Sequence, residues 1–112
     1  MFKSLVREEE LDFFLHSSQD KLVLVKFFTT WCPPCRELQK SLSELEKEKP
    51  DLLVVEVDAD RFPQLKYQDQ HQKVQQLVVR SVPYLFLFQQ GKVLKKGGGS
   101  MNIQQLKEFI TV

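Results

Sequence analysis

The chain has 112 residues, 42% of them apolar including nine Phe, with 16 basic against 15 acidic side chains and a net charge of +1. That apolar content excludes a disordered chain and predicts one self-sufficient domain over residues 1–112. The near-neutral balance argues against nucleic acid or an anionic membrane as the main partner, and the apolar runs are too short for a transmembrane span.

The stretch Met1 to Glu10 turns acidic where a signal peptide needs its apolar run, so the expected location is cytoplasmic, a reducing compartment where paired cysteines serve chemistry more often than structure. Residues 2–6 are predicted to form a short strand. Leu11, Phe14 and Leu15 then fall at helical spacing and predict a helix over Glu8 to Leu15. After a polar connection at 17–20, Leu22 to Phe28 is nearly continuous aliphatic and aromatic sequence, the pattern of a strand buried on both faces. Only Lys26 interrupts it.

Trp31-Cys32-Pro33-Pro34-Cys35-Arg36 follows, between that strand and a charged amphipathic helix read over Arg36 to Lys49. Its cysteines are the only two in the chain. A C-x-x-C at a strand-to-helix junction points to thiol–disulfide exchange. The first thiol stands at a helix N-terminus, where unpaired N–H groups and aligned peptide dipoles favour negative charge. Its pKa is expected below the free-cysteine value of about 8.5, which makes it a nucleophile near neutral pH. The second thiol, one turn on, is placed to attack a mixed disulfide and release the substrate. Prolines fit there because first-turn residues have no intrahelical use for an N–H. Two blander readings compete. Half a zinc site would need His16 and His71, which lie in unrelated segments without ligand spacing. A structural bridge closing so small a loop constrains the unfolded chain little.

Leu38, Leu42 and Leu45 form the buried stripe of the helix, with Glu37, Lys40, Glu44, Lys47 and Glu48 elsewhere, and Pro50 ends it. Leu52 to Val57 is a second buried-type strand that closes on Asp58-Ala59-Asp60. Strand, helix, strand in this order predicts a right-handed crossover with parallel pairing. The Gln-rich residues 61–80 are predicted helical in their later part, with Val74, Leu77 and Val78 on one side. Val82 to Phe88 reads as a strand that turns at Gln89-Gln90-Gly91-Lys92 into a partner at Val93 to Lys95, an antiparallel hairpin. Asn102 is a candidate cap, with Gln105 three residues on, for a last helix burying Ile103, Leu106 and Ile110. The expected order is βαβαβαββα, an α/β fold with a mixed sheet and helices on both faces.

These residues resemble the thioredoxin family over essentially the whole chain. The resemblance rests on Phe27-Phe28-x-x-Trp31-Cys32-x-Pro34-Cys35, the helix behind it, Asp58 ending the next strand, Ser81-Val82-Pro83-Tyr84, and Gly91 and Gly99 ahead of Leu106-Lys107-Glu108-Phe109. It implies a thioredoxin fold and a disulfide reductase that needs no metal or organic cofactor. Cys32 resembles the attacking nucleophile and Cys35 the resolving thiol. Trp31 resembles the aromatic lid with Asp58 as its indole partner, and Pro83 the family's cis-proline. The resemblance also implies a substrate groove of Trp31, Val82, Pro83, Gly99 and Ser100, in which the Val82 backbone pairs with an extended peptide. Gly97 and Gly98 are open between a groove role and a simple turn. Partners implied are disulfide-containing proteins and an external donor such as a thioredoxin reductase or a small thiol, with the chain a monomer. Cys-Pro-Pro-Cys also resembles tryparedoxins, nucleoredoxins and cytochrome-maturation proteins. A specialised redox partner, an isomerase or oxidant, and a non-catalytic binding module are therefore the alternative readings.

The chain departs from the family at two places. Lys26 stands where thioredoxins carry a buried acid beneath the second cysteine. An unpaired buried ammonium is costly, so Lys26 must be paired, neutral or reaching solvent along its stem, and Glu56 is the candidate partner. A charged Lys26 favours thiolates but cannot accept a proton. The stretch from Asp58 to Pro83 is also longer than in ordinary thioredoxins, centred on Arg61 to His71. Phe62 and Tyr67 there either rim the substrate groove or pack from an extended helix onto the core.

Overall fold

The computed structural model describes residues 1–112. A five-stranded sheet in the order β1-β3-β2-β6-β7 carries the fold. Its strands are β1 (Phe2–Ser4), β2 (Val23–Phe28), β3 (Leu53–Asp58), β6 (Tyr84–Gln89) and β7 (Lys92–Gly98). The central β2 runs parallel to β3 and antiparallel to β6, so the sheet is mixed. Side chains alternate between the two faces of a strand, and apart from Lys26 both faces of β2 are apolar. Val23, Val25 and Phe27 enter one core with Leu11 and Leu15 of α1 (Glu10–His16). Leu24 enters the other with Leu38, Leu42 and Leu45 of α2 (Pro33–Glu48) and Leu106 of α3 (Ile103–Phe109). Each such leucine contributes roughly 1.5–3 kcal/mol by leaving water.

The predicted strands and helices are found within a few residues of their expected bounds, with two exceptions. β7 continues through Gly97 and Gly98, which are strand residues and not a turn. The larger correction concerns 61–80. No helix forms there; β4 (Gln64–Gln68) and β5 (Val74–Val78) pair as an antiparallel hairpin, a separate two-stranded sheet. The order is therefore βαβαβββββα, with α1 and this hairpin covering one face of the main sheet and α2 and α3 the other.

The reason lies in a period-two pattern. Leu65 and Tyr67 are buried between exposed Gln64, Lys66 and Gln68, which is strand spacing. Leu77, the register partner of Leu65, is the one buried residue of β5. The turn is held by Asp69, whose Oδ1 accepts from the His71 and Lys73 amides and whose Oδ2 accepts from the Gln75 side chain. Gln72 takes a positive φ of 61° within it. Asp is suited to such turns because its carboxylate bonds the backbone two residues on. These bonds, the Gln75 contact foremost, hold the Asp69 carboxyl below its ordinary range. Tyr67 meets Phe88 edge-on at 5.1 Å, and its phenol is raised by burial and then by Asp69. Of the two fates open to Phe62 and Tyr67, packing on the core is the one observed, Tyr67 from β4 of the hairpin and Phe62 from the segment just before it, with no helix at either.

Candidate active site

The helix α2 begins at the motif itself. Cys32 is the N-cap, in extended conformation, and Pro33 and Pro34 occupy the first two helical positions. Neither proline has an N–H, so Cys35 is the first helical residue with an amide to offer. That amide donates to Cys32 Sγ at 3.2 Å. The two sulfurs are joined as a disulfide with the Cα atoms 5.2 Å apart. A sulfur at a helix N-cap stands where unpaired N–H groups and the aligned peptide dipoles support negative charge.

Both cysteines are nearly buried, at 3% and 4% exposure, but they open on different spaces. Cys32 lines a cleft of about 370 Å³ with Trp31, Pro33, Pro34, Ala59 and residues 79–82. The Val82–Pro83 peptide is cis, and the Val82 carbonyl lies 3.8 Å from Cys32 Sγ. Cys35 lines a second cavity of about 290 Å³ beneath the helix, with Lys26, Thr29, Gln39 and Glu56 among its walls.

Lys26 is 2% exposed. Its ammonium is 2.8 Å from Glu56 Oε2 and donates to Gln39 Oε1 on α2. Of the states open to Lys26, the paired one is observed, and Glu56 is the partner. The nearby Thr29 hydroxyl is buried without a hydrogen-bond partner.

Trp31 is 65% exposed and donates its indole N–H to Asp60 Oδ2 at 3.0 Å. The expected partner was Asp58. That carboxylate is taken by the following turn, where its Oδ1 accepts from the Asp60 amide at 3.0 Å. Asp60, two residues past the strand end, is the residue that sequence reasoning missed. The Asp58-Ala59-Asp60 spacing was its only signal.

The structure thus brings Trp31, Cys32, Pro33, Pro34 and Val82 to one cleft and places Lys26 and Glu56 beneath Cys35. Pro83, Gly99 and Ser100, expected in the groove, do not line that cleft. The Gly99 amide donates to the Pro83 carbonyl at 3.0 Å, which ties the end of β7 to the cis-proline loop. Gly99 has φ +90° and open space where a Cβ would stand, whereas a Cβ on Gly98 would meet the Tyr84 ring at 2.9 Å. Ser100 Oγ is 3.3 Å from Glu37 Oε2 of α2. His16 ends α1 and His71 lies in the β4–β5 turn, in separate elements from the cysteines.

Comparison with known proteins agrees with this geometry. The thioredoxin family model matches residues 4–112. A thioredoxin of Mycoplasmoides gallisepticum is 32% identical over 108 residues, covering 96% of this chain and 98% of that protein. A thioredoxin of Chlamydia trachomatis is 33% identical over 98 residues, covering 88% of each. Among solved structures, Fasciola hepatica thioredoxin superposes with a TM-score of 0.74 at 23% identity, over 96% of this chain and 95% of that one, a likeness of fold. The chain belongs to the thioredoxin family, and its Cys32–Cys35 pair makes it a thiol–disulfide oxidoreductase.

Proposed function

We propose that the chain works as one unit over residues 1–112 that reduces disulfides in other proteins, with Cys32 as nucleophile and Cys35 as resolving thiol. Cys32 thiolate attacks a substrate sulfur; a Cys32–substrate bond forms, and the expelled sulfur leaves with the electron pair and takes a proton. Cys35 then loses its proton and attacks Cys32 Sγ. That closes the intramolecular disulfide and releases the second substrate thiol, so two electrons pass to the substrate. An external donor, a thioredoxin reductase or a small thiol, returns two electrons to the pair. Trp31, Pro33, Pro34 and Val82 form the docking surface, which Pro83, Gly99 and Ser100 extend beyond the cleft, and Asp58 and Asp60 support the Trp31 wall. Lys26, fixed by Glu56, favours the thiolate forms by its charge.

The observation that carries this reading is the Cys35 amide on Cys32 Sγ, beside a cleft walled by Trp31 and Val82. The protein is expected to act as a monomer in a reducing compartment, the cytoplasm by default, where a lone C-x-x-C pair is kept for exchange. No helix is long and apolar enough to cross a membrane. Insulin reduction with dithiothreitol as donor tests the activity. Turnover lost in Cys32→Ser and a stable mixed disulfide in Cys35→Ser are expected; insulin reduction that survives Cys32→Ser would overturn the assignment of the nucleophile.

A further inference from the structure

The cleft beside Cys32 has one charged side chain in its wall, Arg80. The remaining walls are the Trp31 ring, two prolines, Ala59, Val79, Ser81 and Val82, none of which carries charge. Arg80 is exposed and takes part in none of the salt bridges of the chain. The two charges that follow the cleft residue Ala59 in the sequence, Asp60 and Arg61, each have a partner of their own. Asp60 accepts from the Trp31 indole, and Arg61 stacks over the Phe62 ring.

Position along the chain matters as much as charge. Arg80 lies two residues before Val82, whose carbonyl is 3.8 Å from Cys32 Sγ. Two residues of extended backbone span at most about 7 Å. Arg80 therefore shares one cleft with the sulfur that a docked cysteine must reach, and its backbone lies a short span from the Val82 carbonyl beside that sulfur. Docking covers the apolar walls and removes water, which strengthens any charge contact made there. A guanidinium suits a carboxylate because its planar fork matches the two oxygens, and it is weakly hydrated compared with an ammonium.

We infer that Arg80 is a specificity residue of this cleft, selecting disulfides that carry an acidic residue within about two positions of the attacked cysteine. The inference rests on the reading of Cys32 as the nucleophile. It adds a substrate class to it: acidic segments are favoured, and lysine-bearing ones are disfavoured by like charge.

The test uses the reduced full chain and three peptides, each with one cysteine blocked as a pyridyl disulfide and differing only in having Glu, Gln or Lys two residues away. Attack by Cys32 on the peptide sulfur forms the Cys32–peptide bond and breaks the bond to the pyridyl sulfur. That sulfur leaves with the electron pair and is followed as thiopyridone once its ring nitrogen takes a proton. The ratio of rate constants for the Glu and Lys peptides is taken within one preparation, so the folded fraction of any variant cancels.

The expected ratio is about five- to ten-fold in favour of Glu for the native chain, the size of a partly exposed charge contact counted once as attraction and once as repulsion. It falls towards one in Arg80→Gln, inverts in Arg80→Glu, and shrinks in high salt. Equal ratios in the native chain and Arg80→Glu overturn the role of Arg80 and leave the disulfide chemistry standing. No thiopyridone release from any peptide by the native chain overturns both.

Discussion

Lys26 Nζ and Glu56 Oε2 stand 2.8 Å apart on a rung where the two residues are direct register partners in the parallel strands β2 and β3. The pair belongs to the face covered by α2, because Lys26 shares its parity with Leu24 and Glu56 with Val54, both in the α2-side core. Gln39 completes it from the helix. A charged side chain thus sits in the centre of an otherwise apolar strand because its charge is matched across the rung. The match also holds an ammonium in the cavity that Cys35 lines.

Breaking one half of that pair is expected to cost more than removing both. A buried ion pair contributes little net stability, but one partner left alone is a desolvated, uncompensated charge, at a cost of about 3–5 kcal/mol. Lys26→Ala or Glu56→Gln is therefore expected to lower the urea midpoint well below that of a Lys26→Met, Glu56→Leu double variant. Lys26→Ala is also expected to slow thiol alkylation and insulin turnover. Unchanged alkylation and turnover in that variant would leave Lys26 a purely structural role.

Alkylation separates the two sulfurs. Cys32 is the N-cap with an amide aimed at its sulfur, while Cys35 lies inside the first turn against the lower cavity. Limited iodoacetamide at neutral pH on the reduced chain is expected to label Cys32 almost alone, as mass spectrometry of the peptides would show. Equal labelling of the two would contradict a thiolate supported by the helix terminus.

The indole of Trp31 reports on its partner. Asp60→Asn weakens a charge-assisted bond to a neutral one, worth about 1 kcal/mol or less at so exposed a site. It is expected to alter Trp31 fluorescence and its quenching by iodide, with a rise in KM of about two- to five-fold for insulin. Asp58→Asn acts on the turn and leaves the indole bonded. A larger emission change in Asp58→Asn than in Asp60→Asn would return the role to Asp58.

Acid sensitivity is expected to map to the β4–β5 turn. The Asp69 carboxyl is held below its ordinary 3.8, by Gln75 first and then by the Lys73 and His71 amides. A group whose folded value is lowered stabilises the fold above its unfolded value, and that stabilisation is lost as pH falls through the folded one. The loss therefore begins near pH 4 and continues below it. Glu10, bonded by the Arg7 and Val6 amides, shifts in the same direction. Urea midpoints at neutral pH and near pH 3 would show a smaller acid loss in Asp69→Asn than in the native chain, with part of the slope remaining through Glu10.

The motif, the two-sided burial of β2, the stripe on α2 and the cap at Asn102 were legible because each is a local pattern whose meaning survives in any surroundings. Asn102 and Gln105 form the reciprocal capping pair that their spacing announces. The hairpin was not legible in the same way. Val74, Leu77 and Val78 satisfy a helical face, and glutamine is a good helix former, so local preference pointed to a helix. The Leu65-x-Tyr67 alternation and the turn-forming Asp69 pointed to strands, and the core settled the matter by taking Leu65, Tyr67 and Leu77 together.

By itself, then, the order of residues determined the family, the reacting sulfurs and most of the element order, because these depend on spacing along the chain. Tertiary structure alone decided that Asp60 and not Asp58 meets Trp31, that Lys26 is paired, and that Arg80 stands in the wall of the cleft beside Cys32. Each is a contact between elements. Which side chain reaches across depends on where one strand ends and how the next segment turns, a geometry set by packing and not by neighbours in sequence.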